Sequence, residues 1–346
     1  MALRRVTPRQ VLLASGLLAL ALLATMAGAV LVGSDLTVSE VFSAVRGRGG
    51  EAAVARATVY NIVVRLRLPR VLLAALTGCA LATAGVTFQG LLRNPLADPY
   101  ILGVSSGAAF GAVVAILFLG GAGHYGVLMA FALVGAVGAI TVVYATSSVR
   151  GHISRHTLLL VGVVVNACLG AAIMFLTALA DFTRLGAVIQ WLMGVLSAPS
   201  SPVTVLLSLA GALAAGFVVL YLQAGRMNLL TLGEETAGHL GVEAERTKRI
   251  CFLAASLVTA ATVAVTGPIG FVGLIVPHLV RLRAGSDHRL LLPAAALSGG
   301  IFLVVCDAAV RTFLRDAFPV GVVTAMFGGP FFIFLLKREQ RQVYFD

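Results

Sequence analysis

Seven stretches of this chain stay apolar for about twenty residues, the length a helix needs to cross a bilayer. They are Val11–Val32, Val71–Leu92, Gly126–Ala145, Leu158–Ala180, Val203–Leu222, Leu290–Val310 and Val320–Leu336. Shorter apolar runs occupy Val104–Leu119, Ile250–Thr266 and Phe271–Val280, the last two parted by a Gly-Pro break. Backbone N–H and C=O groups at membrane depth must be satisfied within the protein, which restricts such runs to helices packed together. Only 11% of the 346 residues are charged and 59% are hydrophobic, against about 25% charged in a soluble domain. The reading is an all-α polytopic membrane protein of about ten spans, with residues 1–346 forming one transmembrane domain.

Ten spans return both termini to one side, and charge chooses the side. With the N-terminus inside, the inner loops hold 16 of the 25 basic residues, and six of the other nine fall between Arg46 and Arg70. That bias places both termini in the cytoplasm. It also accounts for the net charge of +11 without a nucleic-acid partner. The apolar run after the N-terminal arginines is too long for a signal-peptide core and reads as a retained first span. Cys79, Cys168, Cys251 and Cys306 lie singly in apolar runs, as small hydrophobes rather than metal ligands or disulfides.

Four segments depart from plain hydrophobicity. The first, Arg67 to Gly107, runs RLPRVLLAALTGCALATAGVTFQGLLRNPLADPYILGVSSG, from arginines through a helix and a proline-broken turn into another apolar segment. Arg65, Arg67 and Arg70 precede the second span, and Arg311 and Arg315 follow the ninth, all on the expected outer face. Positive charge there opposes the orientation rule. A guanidinium fork suits carboxylates on a protein partner, and lipid headgroups offer the competing explanation. The second is the polar loop Arg226–Arg249. Within it, Gly233-Glu234-Glu235-Thr236-Ala237-Gly238-His239-Leu240-Gly241 predicts a short helix, acidic at its start and closed by glycine. It is either a device for receiving a push from a soluble partner or an ordinary surface loop. The third is TGPIGFVGLIVPHLVR, Thr266–Arg281, whose glycines and prolines break a helix at membrane depth. The lone His278 reads as structural. The fourth is the inner loop from Arg150 to Thr157. Two short matches, Phe88-Gln-Gly-Leu91 and Phe271-Val-Gly-Leu274, hint at an internal repeat.

RLPR, NPLADPYILGVSSG, LGEE with LGV, and GPIGFVGLIVPHLVR together resemble the signatures of the FecCD family, the membrane subunits of ATP-driven importers for iron chelates, haem and cobalamin. The likeness runs from about Leu66 to Leu336. It implies a type II ABC importer permease fold that homodimerises around a central pathway. It further implies Arg67, Arg70 and Arg311 as docking points for a periplasmic or lipid-anchored substrate-binding protein. Leu232, Gly233, Glu234, Glu235, Gly238, Leu240 and Gly241 become the coupling segment that seats in each of two ATP-binding subunits. Ser154, Arg155, His156 and Thr157 fall at the inner gate, although Arg155 and His156 are bulkier than the small hydroxyl residues usual there. Gln89 and Asn166 are polar within spans, either lining the pathway or bonding between helices. The setting implied is a bacterial inner membrane, with lipid as a further partner.

This chain has no GxxxxGK[ST] phosphate loop. ATP and Mg would belong to the partner subunit, and no cofactor or metal is expected here. GVSSG at Gly103–Gly107 and GAGHYG at Gly121–Gly126 imitate enzyme motifs but lack the strand those motifs require. The rival class is a stand-alone secondary transporter, which would want ionisable residues mid-membrane. Asp98, Asp181 and Asp307 instead read as loop or span-end residues. Among cargoes, an iron(III)–siderophore complex is favoured over cobalamin or haem on family breadth.

Overall fold

Small residues decide what sits at the centre. Helix α2, Leu68–Leu92, is rich in Ala, Gly and Thr and buries nineteen of its residues, Gly78, Gly85 and Phe88 among them. A side chain on Gly78 would meet the Gly299 carbonyl, and one on Gly85 the Gly273 carbonyl. The backbones therefore touch, which only glycine permits. Thr83 and Thr87 return their hydroxyls to the carbonyls one turn back, at 2.7 and 2.9 Å, so neither is left unsatisfied in the core.

The structure, a computed structural model, describes residues 7–31, 60–120, 124–149, 152–196, 202–314 and 318–343. Around α2 run α1 (Pro8–Leu31), α3 (Val104–Phe118), α4 (Tyr125–Ser147), α5 (Arg155–Ala178), α6 (Phe182–Leu192), α7 (Pro202–Thr231), α8 (Glu234–His239), α9 (Ala244–Thr266), α10 (Val272–Ala284), α11 (His288–Phe313) and α12 (Val320–Val343). The only strands among the described residues are a two-residue antiparallel pair, Ser148–Val149 with His152–Ile153, between α4 and α5. Among the described residues seven helices are long and apolar enough to cross a membrane, and α3 and the first part of α12 are shorter apolar helices. With α10 they give the ten segments anticipated. Several helices outrun their apolar stretches, α7 by nine residues to Thr231 and α12 by seven to Val343. Ile250–Thr266 is the apolar part of a 23-residue helix that starts at Ala244. The second span begins at Asn61, because a π-helical segment, Asn61–Arg67, leads into α2. Pro69 has no N–H to give the Arg65 carbonyl, and Leu68 bonds five residues back to Val63, so the wider register absorbs the mismatch.

At about 1.5 Å per residue, neither α3 nor α10 spans about 30 Å of hydrocarbon alone. Irregular segments, 93–103 and 267–271, make up the difference, and they satisfy each other. The Tyr100 hydroxyl donates to the Ile269 carbonyl and accepts the Ile269 N–H, both at 2.8 Å. Asn166 on α5 donates to the Tyr100 and Ile101 carbonyls at 3.0 Å. Bare backbone is thus buried only where side chains answer it. On the periphery, α1 buries Ala29 alone and α5 buries three residues. Their apolar faces, with Leu12 73% and Met174 75% exposed, suit lipid or another membrane chain.

Candidate functional site at the two ends of the bundle

Alternate threading gathers the C-termini of α1 and α11 and the start of α2 at one end. There the three sequence-predicted docking arginines come together, two of them on one acid. Arg70 Nε donates to Asp307 Oδ1 at 2.9 Å, and Arg311 Nε to Oδ2 at 3.0 Å. Arg311 Nη2 reaches the Ala29 carbonyl at 2.9 Å, and Arg67 Nη1 the Val30 carbonyl at 3.0 Å. These are last-turn carbonyls of α1, the negative end of its dipole. The arginines therefore staple α1 to α2 and α11. Side-chain exposure separates them: Arg70 is 25% exposed, Arg311 only 8%. Arg65 is exposed on the π-segment. Arg315 lies outside the described residues, as do Arg4, Arg5, Arg46, Arg48, Arg56 and Arg150.

Asp307 is a correction. Expected at a span end, it lies more than a turn inside α11 and is fully buried. Hydropathy conceals it, and the available signal was its i,i+4 spacing to Arg311.

The opposite end carries α8. Gly233 at φ +131 and Gly241 at φ +80 bracket it, positions that glycine fills without strain. Glu234 and Glu235 stand in its first turn and His239 in its last, complementing the dipole as anticipated. Ala237 is buried against Leu230 and Val242, which anchors the helix to the ends of α7 and α9. Leu232 and Leu240, 51% and 57% exposed, flank it on the surface with Glu235 and Gly238. Glu234, only partly buried, pairs with Lys248 Nζ at 2.7 Å and with Arg155. Burial alone would raise its pKa, but the Lys248 hydrogen bond and charge, then Arg155, outweigh it and hold the carboxyl below its usual value. Of the four residues at the expected gate, Ser154 caps α5 by accepting the Thr157 N–H at 3.4 Å. Arg155 is tied to α8, His156 is exposed and Thr157 half-buried. Lys248 and Glu245 were not singled out from sequence; an i,i+3 pair on a charged helix start looks like ordinary solvated surface.

Gln89 and Asn166 had two uses open to them, and the structure fills the interhelical one. Pro277 in α10 cannot bond the Gly273 carbonyl one turn back. Gln89 Nε2 lies 3.4 Å from that carbonyl and 3.1 Å from Leu274 O. The FQGL and FVGL matches thus sit face to face. His278 is buried, as a structural histidine should be. Of the cysteines Cys251 is buried, whereas Cys168 is exposed on α5. Among the described residues no group of His, Cys, Asp or Glu could hold a metal ion.

Fold and surface together define a multi-pass, helical membrane protein. The profile of the FecCD transport family matches residues 17–338. The cobalamin import system permease BtuC of Halobacterium salinarum is 47% identical over 82% of this chain and 76% of that one. The hemin transport system permease HmuU of Yersinia pestis is 41% identical over 82% and 85%. A solved structure described as a metal-chelate-type ABC transporter, inward-facing, superposes with a TM-score of 0.80 at 29% identity, covering 94% of this chain and 98% of that one. This chain belongs to the FecCD transport family.

Proposed function

We propose that this chain is the permease subunit of an ATP-driven importer for a bulky metal chelate. The observation that carries the reading is α8: a short helix locked at both ends, backed by a buried alanine and presenting Leu232 and Leu240 to a partner. That is the shape of a mechanical contact, and the chain has no phosphate loop of its own. Two ATP-binding subunits would each seat one α8, and two copies of the permease would enclose the pathway between them. The exposed apolar face of α5 supports such pairing. Both termini would lie in the cytoplasm of a cell whose inner membrane holds the complex, with the loop before α5 closing the pathway inside.

At the outer end, Arg67 and Arg70 would receive acidic residues of a substrate-binding protein, with Arg65 beside them. Arg311 would serve that surface mainly by holding Arg70 and α1 in place. The names of the two relatives weight the cargo toward a macrocyclic chelate, cobalamin or haem, over the ferric siderophore favoured by family breadth. The deciding experiment reconstitutes the chain in lipid vesicles with its cognate ATPase and the binding protein loaded in turn with each chelate. ATP-dependent uptake of one chelate, lost in Arg67→Glu/Arg70→Glu, is the expected result. Failure of any ATPase subunit to associate would sink the reading in favour of a stand-alone carrier.

A further inference from the structure

Four helix ends meet behind α8, and charge adds to the small apolar cluster of Ala237, Leu230 and Val242 in joining them. Arg93, in a left-handed conformation closing α2 (φ 46°), donates to the Leu230 carbonyl near the end of α7. Lys248 on α9 is nearly sequestered, with 4% of its side chain exposed, and its ammonium sits 2.7 Å from Glu234 and 2.6 Å from Glu245. A lysine is that buried only when paired. Arg155 occupies the first position of α5, where a cation opposes the helix dipole, yet it is retained and pairs with Glu234 across 79 residues of sequence. Glu234 therefore holds two cations from two different helices at once, while Ala237 on the same short helix is locked into the α7–α9 turn. A displacement of α8 cannot occur without either carrying the start of α5 along or breaking this pairing.

We propose that Glu234 and Arg155 form the strut through which α8 moves the N-terminal turn of α5, with Lys248 holding Glu234 in position. The two are positioning residues. They touch no cargo, and they make the loop before α5 follow α8. The inference rests on the proposed role of α8 as the contact for an ATPase, and it assigns the internal half of that transmission to one side-chain pair. Arg155 at this point is a coupling element rather than a plug, which explains a large basic residue where a small hydroxyl is usual.

Two measurements test it. In the permease alone, in lipid nanodiscs, hydrogen exchange of the α5 amides at 158–160 should quicken about 10-fold in Glu234→Gln and in Arg155→Gln. The charge-keeping Arg155→Lys, which leaves Glu234 and Lys248 paired, should return it to within about 3-fold of the parent. In the assembled transporter, cargo moved per ATP hydrolysed should fall about 10-fold in each single variant. The Gln/Gln double should be no worse than Glu234→Gln alone, since that single already removes the pair with Arg155, and Arg155→Lys should recover. Unchanged exchange at α5, or losses that multiply to about 100-fold in the double, would overturn the strut. An Arg155→Lys variant as defective as Arg155→Gln would overturn it as well. Those exchange data need no ATPase, so a chain that never binds one would remove the proposed function and still leave the strut decided.

Discussion

Asp307 is the residue on which the outer end depends. It is the shared acceptor of Arg70 and Arg311, and its carboxylate is 1% exposed. Removing one partner of a buried ion pair strands the others, at a cost of about 3–5 kcal/mol. Asp307→Ala should therefore lower the thermal unfolding midpoint in detergent clearly, while Arg65→Ala, on an exposed side chain, should not. Equal midpoints for the two variants would show that the staple contributes nothing. Glu234 supplies a pH signature at the other end. Lys248 and Arg155 hold its carboxyl below the ordinary value of 4.5 despite partial burial, so its contribution is present above that value and disappears as pH falls through the lowered one. Exchange protection of α8 should thus hold at neutral pH and weaken on acidification below about 4.5, an effect absent in Glu234→Gln.

At the scale of elements, the close approach of α2 to α11 is the most specific feature. Gly78 and Gly299 each lie against the other's carbonyl, so a side chain at either meets backbone, which cannot rotate away. Overpacking a core costs about 1–3 kcal/mol where side chains can yield, and more is expected here. Gly78→Leu should abolish recovery of folded protein in detergent. Gly16→Leu on α1, with open space around its α-carbon, should be recovered like the parent. A folded Gly78→Leu protein of normal stability would mean the two helices are not in backbone contact.

For the whole molecule, the peripheral apolar faces of α1 and α5 set the expectation. Leu160, Val163 and Phe175 are exposed along α5, where the proposed second copy would pack. Native mass spectrometry from nanodiscs should report a dimer of this chain, and charged substitutions at Val163 and Phe175 should return a monomer that still folds. A parent that is monomeric with and without its ATPase would remove the enclosed pathway from the proposed mechanism.

Much of this was legible in the linear chain. Span number follows from runs of about twenty apolar residues, because lipid leaves the backbone no alternative to helix. The α8 bounds follow from Gly233, Glu234 and Gly241, which act locally through φ and the helix dipole. Individual roles were less legible, since they depend on which helices become neighbours. Nothing near Pro277 says that Gln89, 188 residues earlier, answers the carbonyl it frees. Nothing near Arg155 names Glu234. Sequence by itself determined the class of protein and the positions of its breaks and caps, because those are set by solvent and by interactions within a few residues. Only the tertiary structure decided which charges neutralise one another, because a buried ion is tolerated solely where packing brings its counter-charge within about 3 Å.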